Sequence, residues 1–148
     1  MGREWLKKDI RSKTMRIRSK DDVMVAMTNT NHLAEEVGFL PNEQILLCLV
    51  TEEAIVNALE HSTTVESENV EVTWRTTNAF FQMTVKQKGK LFSIAKSEDI
   101  NYRSRGRGLQ LILEIMDKVW LEEDEGGVTL FMQKGVIKDS KYGVEQYV

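Results

Sequence analysis

The stretch TEEAIVNALEHS, residues 51–62, sets three regularly spaced polar side chains into an otherwise apolar run. Glu53, Asn57 and His61 recur at i, i+4 and i+8, so on a helix they form one stripe. Their neighbours Ala54, Ile55, Val56, Ala58 and Leu59 are apolar. A carboxylate or an amide buried on such a helix is costly unless it finds a partner. Asn is also a poor residue for a helix interior. Two readings of Glu53 and Asn57 stay open from the pattern: a polar edge facing solvent, or a pair kept for chemistry. Glu52 and Glu60 read as solvent-facing.

Working outward, Ile45 to Leu59 is apolar nearly all round, which predicts a buried central helix. Pro41 suits its first turn, with Asn42 as a cap. Upstream, Val23, Met24, Met27, Leu33 and Val37 recur at helical spacing between a cap at Asp21-Asp22 and a stop at Gly38. Thr14 to Ser19 alternates as a short strand. Downstream, Val70–Trp74 and Phe80–Val85 alternate across Thr76, Thr77 and Asn78, the pattern of a β-hairpin. Lys88 to Arg105 is polar and reads as a mobile loop. Leu109, Ile112, Leu113 and Met116 mark an amphipathic helix. Val119–Leu121 and Val128–Met132 close the domain as a hairpin around Glu125-Gly126-Gly127.

This order, with hairpins and no helical crossovers between their strands, predicts an α+β fold. It is a two-layer sandwich: a mixed, largely antiparallel sheet with helices covering one face. Residues 1–13 form a basic lead-in, 14–135 the domain, and 136–148 a polar tail.

Gly106-Arg107-Gly108-Leu109 stands where the polar loop becomes a helix. Free N–H groups and the positive end of the helix dipole suit such a place to phosphate. Glycines let the backbone approach an anion closely, and Arg103, Arg105 and Arg107 add positive charge. Loop flexibility explains a lone G-x-G equally well.

Composition narrows the classes. The 148 residues carry a net charge of −3, which argues against a general nucleic-acid binder. Cys48 is the only cysteine, so no disulfide forms within one chain, and its apolar neighbours make it inert core. No apolar run spans a bilayer and the N-terminus lacks a signal peptide's apolar core, so a cytoplasmic location is expected. His32 and His61 lack the Cys and carboxylate partners of a zinc site. No Ser stands in a nucleophile-elbow pattern. The first twenty residues are strongly basic and read as a solvated lead-in or, alternatively, an arm for an acidic partner.

Taken together, residues 51–62 resemble the N-box of the gyrase, histidine-kinase and MutL ATPases, the Bergerat fold. More closely, Glu53, Asn57, Ala58 and His61 resemble the anti-sigma-factor serine/threonine kinases of bacterial partner-switching systems. RGRGLQLILEIMDKV (105–119) resembles that family's second glycine box and the helix after it, and GGVTLFMQKG (126–135) its closing strand. The likeness runs from about Met15 to Gly135.

The resemblance implies a histidine-kinase-like ATPase fold that binds ATP and Mg²⁺. Asn57 is implied as the Mg²⁺ ligand and Glu53 as the general base that takes a proton from a partner's serine. His61, Gln87, Gly89, Arg105, Gly106, Gly108, Leu109, Val128 and Thr129 are implied as nucleotide-binding positions, with Lys88 to Arg105 as the ATP lid. The implied partners are a sigma factor or similar regulator and a small antagonist protein that accepts the phosphate; homodimers are common in the family.

The sequence departs from the family pattern in the adenine pocket. The acidic residue of the first glycine box is Gln87, its second glycine is Leu91, and the Thr opening the closing strand is Val128. These departures predict weak nucleotide binding with little preference for adenine. They keep a second reading in play, a kinase-like protein-binding module with little or no nucleotide use. A histidine kinase's catalytic domain is a third, disfavoured by the short lid and the absence of a phosphoacceptor helix.

Overall fold

The computed structural model describes residues 10–61, 70–88 and 106–136. The element order is β1 (Arg11–Ile17), α1 (Lys20–Val37), α2 (Pro41–His61), β2 (Val70–Thr76), β3 (Phe80–Lys88), α3 (Gly106–Ile115), β4 (Lys118–Asp124) and β5 (Gly127–Gly135). The five strands form one sheet in the order β1-β2-β3-β5-β4, with every neighbouring pair antiparallel. The α+β sandwich expected from the sequence is therefore the fold, and its described pairings are wholly antiparallel rather than mixed.

Alternation in the strands decides which face the helices cover. Val70, Val72, Trp74 and Thr76 of β2 are buried, as are Phe81, Met83 and Val85 of β3. These side chains share one face. Residues of the helical layer meet them there: Phe39, between α1 and α2, packs edge-on against Phe81, and Trp74 Nε1 donates to Thr30 Oγ1 of α1 at 2.9 Å. On the other face Trp120 stacks on Phe131 with ring centroids 4.9 Å apart. Thr14 and Thr73, in the same cross-strand row, are joined by a 3.0 Å hydroxyl contact.

A polar knot inside this core was not legible beforehand. Thr30 and Thr51, both fully buried, share a 2.7 Å hydroxyl hydrogen bond between α1 and α2. Thr51 also donates to its own helix at Leu47 O, 2.8 Å away, and Met83 Sδ lies 3.5 Å from the same hydroxyl. Two helices and two strands are thereby pinned at one depth. Side-chain hydroxyls, which compete poorly for burial, are satisfied here.

Several local expectations need correction. The first strand begins at Arg11, not Thr14, because its register against β2 runs from Thr76 to Val70. The cap position of α1 is Ser19, and Asp22 Oδ2 reaches back to the Arg18 N–H at 2.6 Å. At α2 the side chain that satisfies a terminal N–H is Glu43 rather than Asn42, accepting from Leu40 N at 3.1 Å. Gly38 ends α1 in the left-handed region at φ 116, with its N–H bonded to Ala34 O. That conformation favours glycine.

The helix α2 is not buried all round. Ile45 is 66% exposed, and Leu46 and Leu49 also reach solvent. A single layer of helices explains this: the sheet, α1 and α3 cover three sides of α2 and leave its N-terminal half open on the fourth. Met24 of α1 is likewise exposed.

Candidate functional site

Contacts along α2 show where its polar stripe lies. Phe39, just before α2, touches Phe81, and Thr51 touches Met83, so helix and strand β3 run in the same direction. From Thr51 to Asn57 the helix climbs about 9 Å, and from Met83 to Gln87 the strand climbs about 13 Å. Asn57 and Gln87 therefore come to the same end of the sandwich.

Asn57 is half-buried, and its Oδ1 is fully buried with no hydrogen-bond partner among the described residues. Such a carbonyl costs about 1–3 kcal/mol, and native proteins seldom leave one without a reason. Glu53, one turn earlier, is also half-buried and is not without a partner. Of the flanking acids, Glu60 is exposed as expected, whereas Glu52 is half-buried. Glu52 lines a groove of about 570 Å³ between α1 and α2, together with Lys20, Val23, Met24, Val56, Leu59 and Glu60. Among the described residues, none of the candidate site side chains lines that groove.

The first turn of α3 lies directly over Glu53. A Cβ placed on Gly108 would collide with Glu53 Oε1 and stand 3.2 Å from Glu53 Cδ. Two motifs more than fifty residues apart in sequence thus meet at van der Waals distance. Gly108 is buried, and Leu109 beside it is half-buried. The backbone of Gly106 opens the helix.

Across the sheet, Gln87 of β3 stands opposite Val128 of β5, and Lys86 stands opposite Thr129. Gln87 and Val128 share the helix-covered face with Val85 and Leu130; Thr129 belongs to the other face. Thr129 consequently faces away from the helices, unlike Val128. One residue along, Lys88 pairs with Gly127, which adopts φ 142 beside a turn closed by Asp124 Oδ1. Gly89, Leu91, Arg105 and the lid from residue 89 onward lie outside the described residues, as does the side chain of His61.

The donor set fits a magnesium ion in one respect. A neutral, buried, unpartnered amide oxygen is a hard-cation ligand, and magnesium characteristically takes few protein ligands plus substrate phosphates. Among the described residues no group of three or more His, Cys, Asp or Glu could form a closed metal cage. The thiol of Cys48 is half-buried, donates towards Met27 O at 3.4 Å and has its pKa raised by that burial, so it is a poor nucleophile. His32 is exposed beside Glu36. Among the described residues no helix is long and apolar enough to cross a membrane.

Residues 18–134 match the family of histidine kinase-like ATPase domains, and the chain belongs to that family. Its fold is shared with the RsbU and RsbW domains of Rv1364c from Mycobacterium tuberculosis, at a TM-score of 0.62 and 12% identity. That alignment covers 84% of this chain and 32% of the other, so the chain spans about a third of that protein's structure. It is similar too to the SiaB–SiaC complex from Pseudomonas aeruginosa, at a TM-score of 0.56 and 12% identity over 91% of this chain and 96% of that one. No curated protein matches.

Proposed function

We propose that this chain is a nucleotide-binding regulatory protein of the anti-sigma-factor serine/threonine kinase type. The observation that carries the reading is the orphaned Asn57 Oδ1, buried one turn along α2 from Glu53, whose carboxylate lies against the glycine-marked start of α3. Asn57 would hold Mg²⁺ through that oxygen, and when bound the ion would neutralise charge on the nucleotide's phosphates. Backbone N–H groups at Gly106 and Gly108 would receive a phosphate at the positive end of α3. Glu53 would take the proton from a serine hydroxyl of the acceptor protein as its oxygen bonds to the γ-phosphorus of ATP and ADP leaves.

The partner reading, a sigma factor or similar regulator together with a small phosphoacceptor, is supported by the neighbours: an RsbW domain in one protein with an RsbU domain, and SiaB in complex with SiaC. Homodimerisation and a cytoplasmic location belong to the same proposal. Calorimetric titration with ATP and ADP, each with and without Mg²⁺, tests it. Binding that tightens with Mg²⁺ supports the reading; no heat at any accessible concentration removes it.

One structural relationship favours a second reading, a kinase-like module acting by protein contact alone. The two departures from the family's adenine pocket, Gln87 and Val128, are register partners on the same sheet face. Both changes therefore fall on one small part of the pocket.

A further inference from the structure

The glycine at position 108 has no backbone explanation. Its φ is not positive; among the described glycines only Gly38 and Gly127 have that property. It lies within a helix, where alanine is ordinarily the better residue. What sets it apart is the space its missing side chain leaves. A Cβ there would fall on Glu53 Oε1, with Glu53 Cδ at 3.2 Å and Glu53 Cβ at 3.7 Å. The last is an ordinary contact; the carboxylate alone is the obstacle.

We infer that Gly108 is a positioning residue for Glu53: the vacancy at the first turn of α3 is the slot that seats the carboxylate. In the kinase reading, on which the catalytic half of this inference rests, that carboxylate is the proton acceptor. Its rotamer would then be set by α3 rather than by its own helix. The glycine box would serve the chemistry twice, by exposing N–H groups to phosphate and by admitting the base. Any side chain at 108 would turn Glu53 to another rotamer even where the phosphate contacts survive.

The steric half is decided without nucleotide. Urea unfolding of the full-length protein is compared for wild type, Gly108→Ala, Glu53→Ala and the double variant. Gly108→Ala lowers the midpoint when Glu53 is present. With Ala at 53 the same change leaves the midpoint unchanged or raises it, because the obstacle is gone and helix propensity favours alanine. If Gly108→Ala fails to fold, recovery of folding in the double variant gives the same support. Equal shifts in both backgrounds, or a double variant that stays unfolded, overturn the proposal.

The catalytic half is read at saturating Mg·ATP with a phosphoacceptor protein. Gly108→Ala loses turnover by about 10²-fold or more, the scale of a misplaced general base. Its ADP affinity falls far less than its turnover, and adding Glu53→Gln brings no further loss of turnover. Weakened ADP binding with turnover intact would assign Gly108 to phosphate contact alone. A wild type with no transfer at all would sink the kinase reading, and the unfolding cycle would still decide whether Gly108 seats Glu53.

Discussion

Gln87 and Val128 face each other across the β3–β5 ladder, on the side of the sheet that the helices cover. The family resemblance places an acid and a hydroxyl at these positions. Gln keeps an acceptor oxygen but carries it on a longer side chain, and Val removes a hydroxyl outright. Leaving one buried polar partner unpaired costs about 1–3 kcal/mol. One or two such losses weaken affinity by roughly ten- to a thousandfold.

Wild type should accordingly bind adenine nucleotides in the high-micromolar range or worse and scarcely distinguish ATP from GTP. Because the two side chains are cross-strand neighbours, their effects should couple. Gln87→Asp with Val128→Thr is expected to tighten ATP more than either single change. Titration calorimetry of the four proteins checks this. Low-micromolar ATP binding by wild type, with GTP rejected, would show that these residues do not line the pocket.

Glu53→Gln should stop phosphoryl transfer and spare nucleotide binding. An amide cannot accept the serine proton, and general-base catalysis contributes about 10²–10⁴-fold. The isosteric amide still fits the slot at Gly108, so unfolding midpoints should barely move. Full turnover in the variant would reduce Glu53 to a structural role.

The fold was legible because its signals are local. Period-two alternation at Val70–Trp74 and Phe80–Val85 and helical spacing at Leu109–Met116 each fall on the element the structure shows. The exposure of Ile45 and Leu49 was not legible, since an apolar helix with one open side looks the same in sequence as one enclosed by neighbours. The site was legible only in halves. Glu53 and Asn57 announce themselves as polar residues on an apolar helix, but the meeting of Glu53 with Gly108 depends on how α3 docks. The resemblance implies both Val128 and Thr129 as nucleotide-binding positions. One step along a strand reverses the face, so only one of the pair points towards the helices.

The buried hydroxyls of α1 and α2 give a prediction about stability. Thr30→Val keeps the shape but removes the acceptor of Trp74 Nε1 and the partner of Thr51. Two buried polar groups lose a partner, although Thr51 retains Leu47 O. A loss of about 2–4 kcal/mol is expected, from the usual penalty for unmade buried hydrogen bonds. Thr30→Ser should recover most of it. Urea denaturation followed by tryptophan fluorescence measures both, and a Val variant as stable as wild type would show that the network contributes nothing net.

Asn57 sets stability against function most directly. Its Oδ1 is buried without a partner, so the ligand-free fold carries an unmet acceptor near the C-terminal end of α2. Asn also has poor helix propensity, while alanine has the best. Both effects push in one direction. Asn57→Ala should leave the ligand-free protein as stable as wild type or more so, by up to about 1–3 kcal/mol. If the amide oxygen is the cation's ligand, the same change should remove the Mg²⁺-dependent part of nucleotide affinity. ATP would then bind equally with Mg²⁺ and with chelator. A solvent-facing Asn with no ligand role predicts a different pair of outcomes: a small gain in stability from propensity alone, and an unchanged Mg²⁺ dependence. Thermal unfolding of both proteins, with and without Mg·ADP, reads the two quantities from one series. In wild type, Mg·ADP should raise the midpoint above that given by ADP alone; in Asn57→Ala the two midpoints should coincide. A variant destabilised without ligand, and still sensitive to Mg²⁺, would show that Asn57 is held by partners and serves packing rather than the cation.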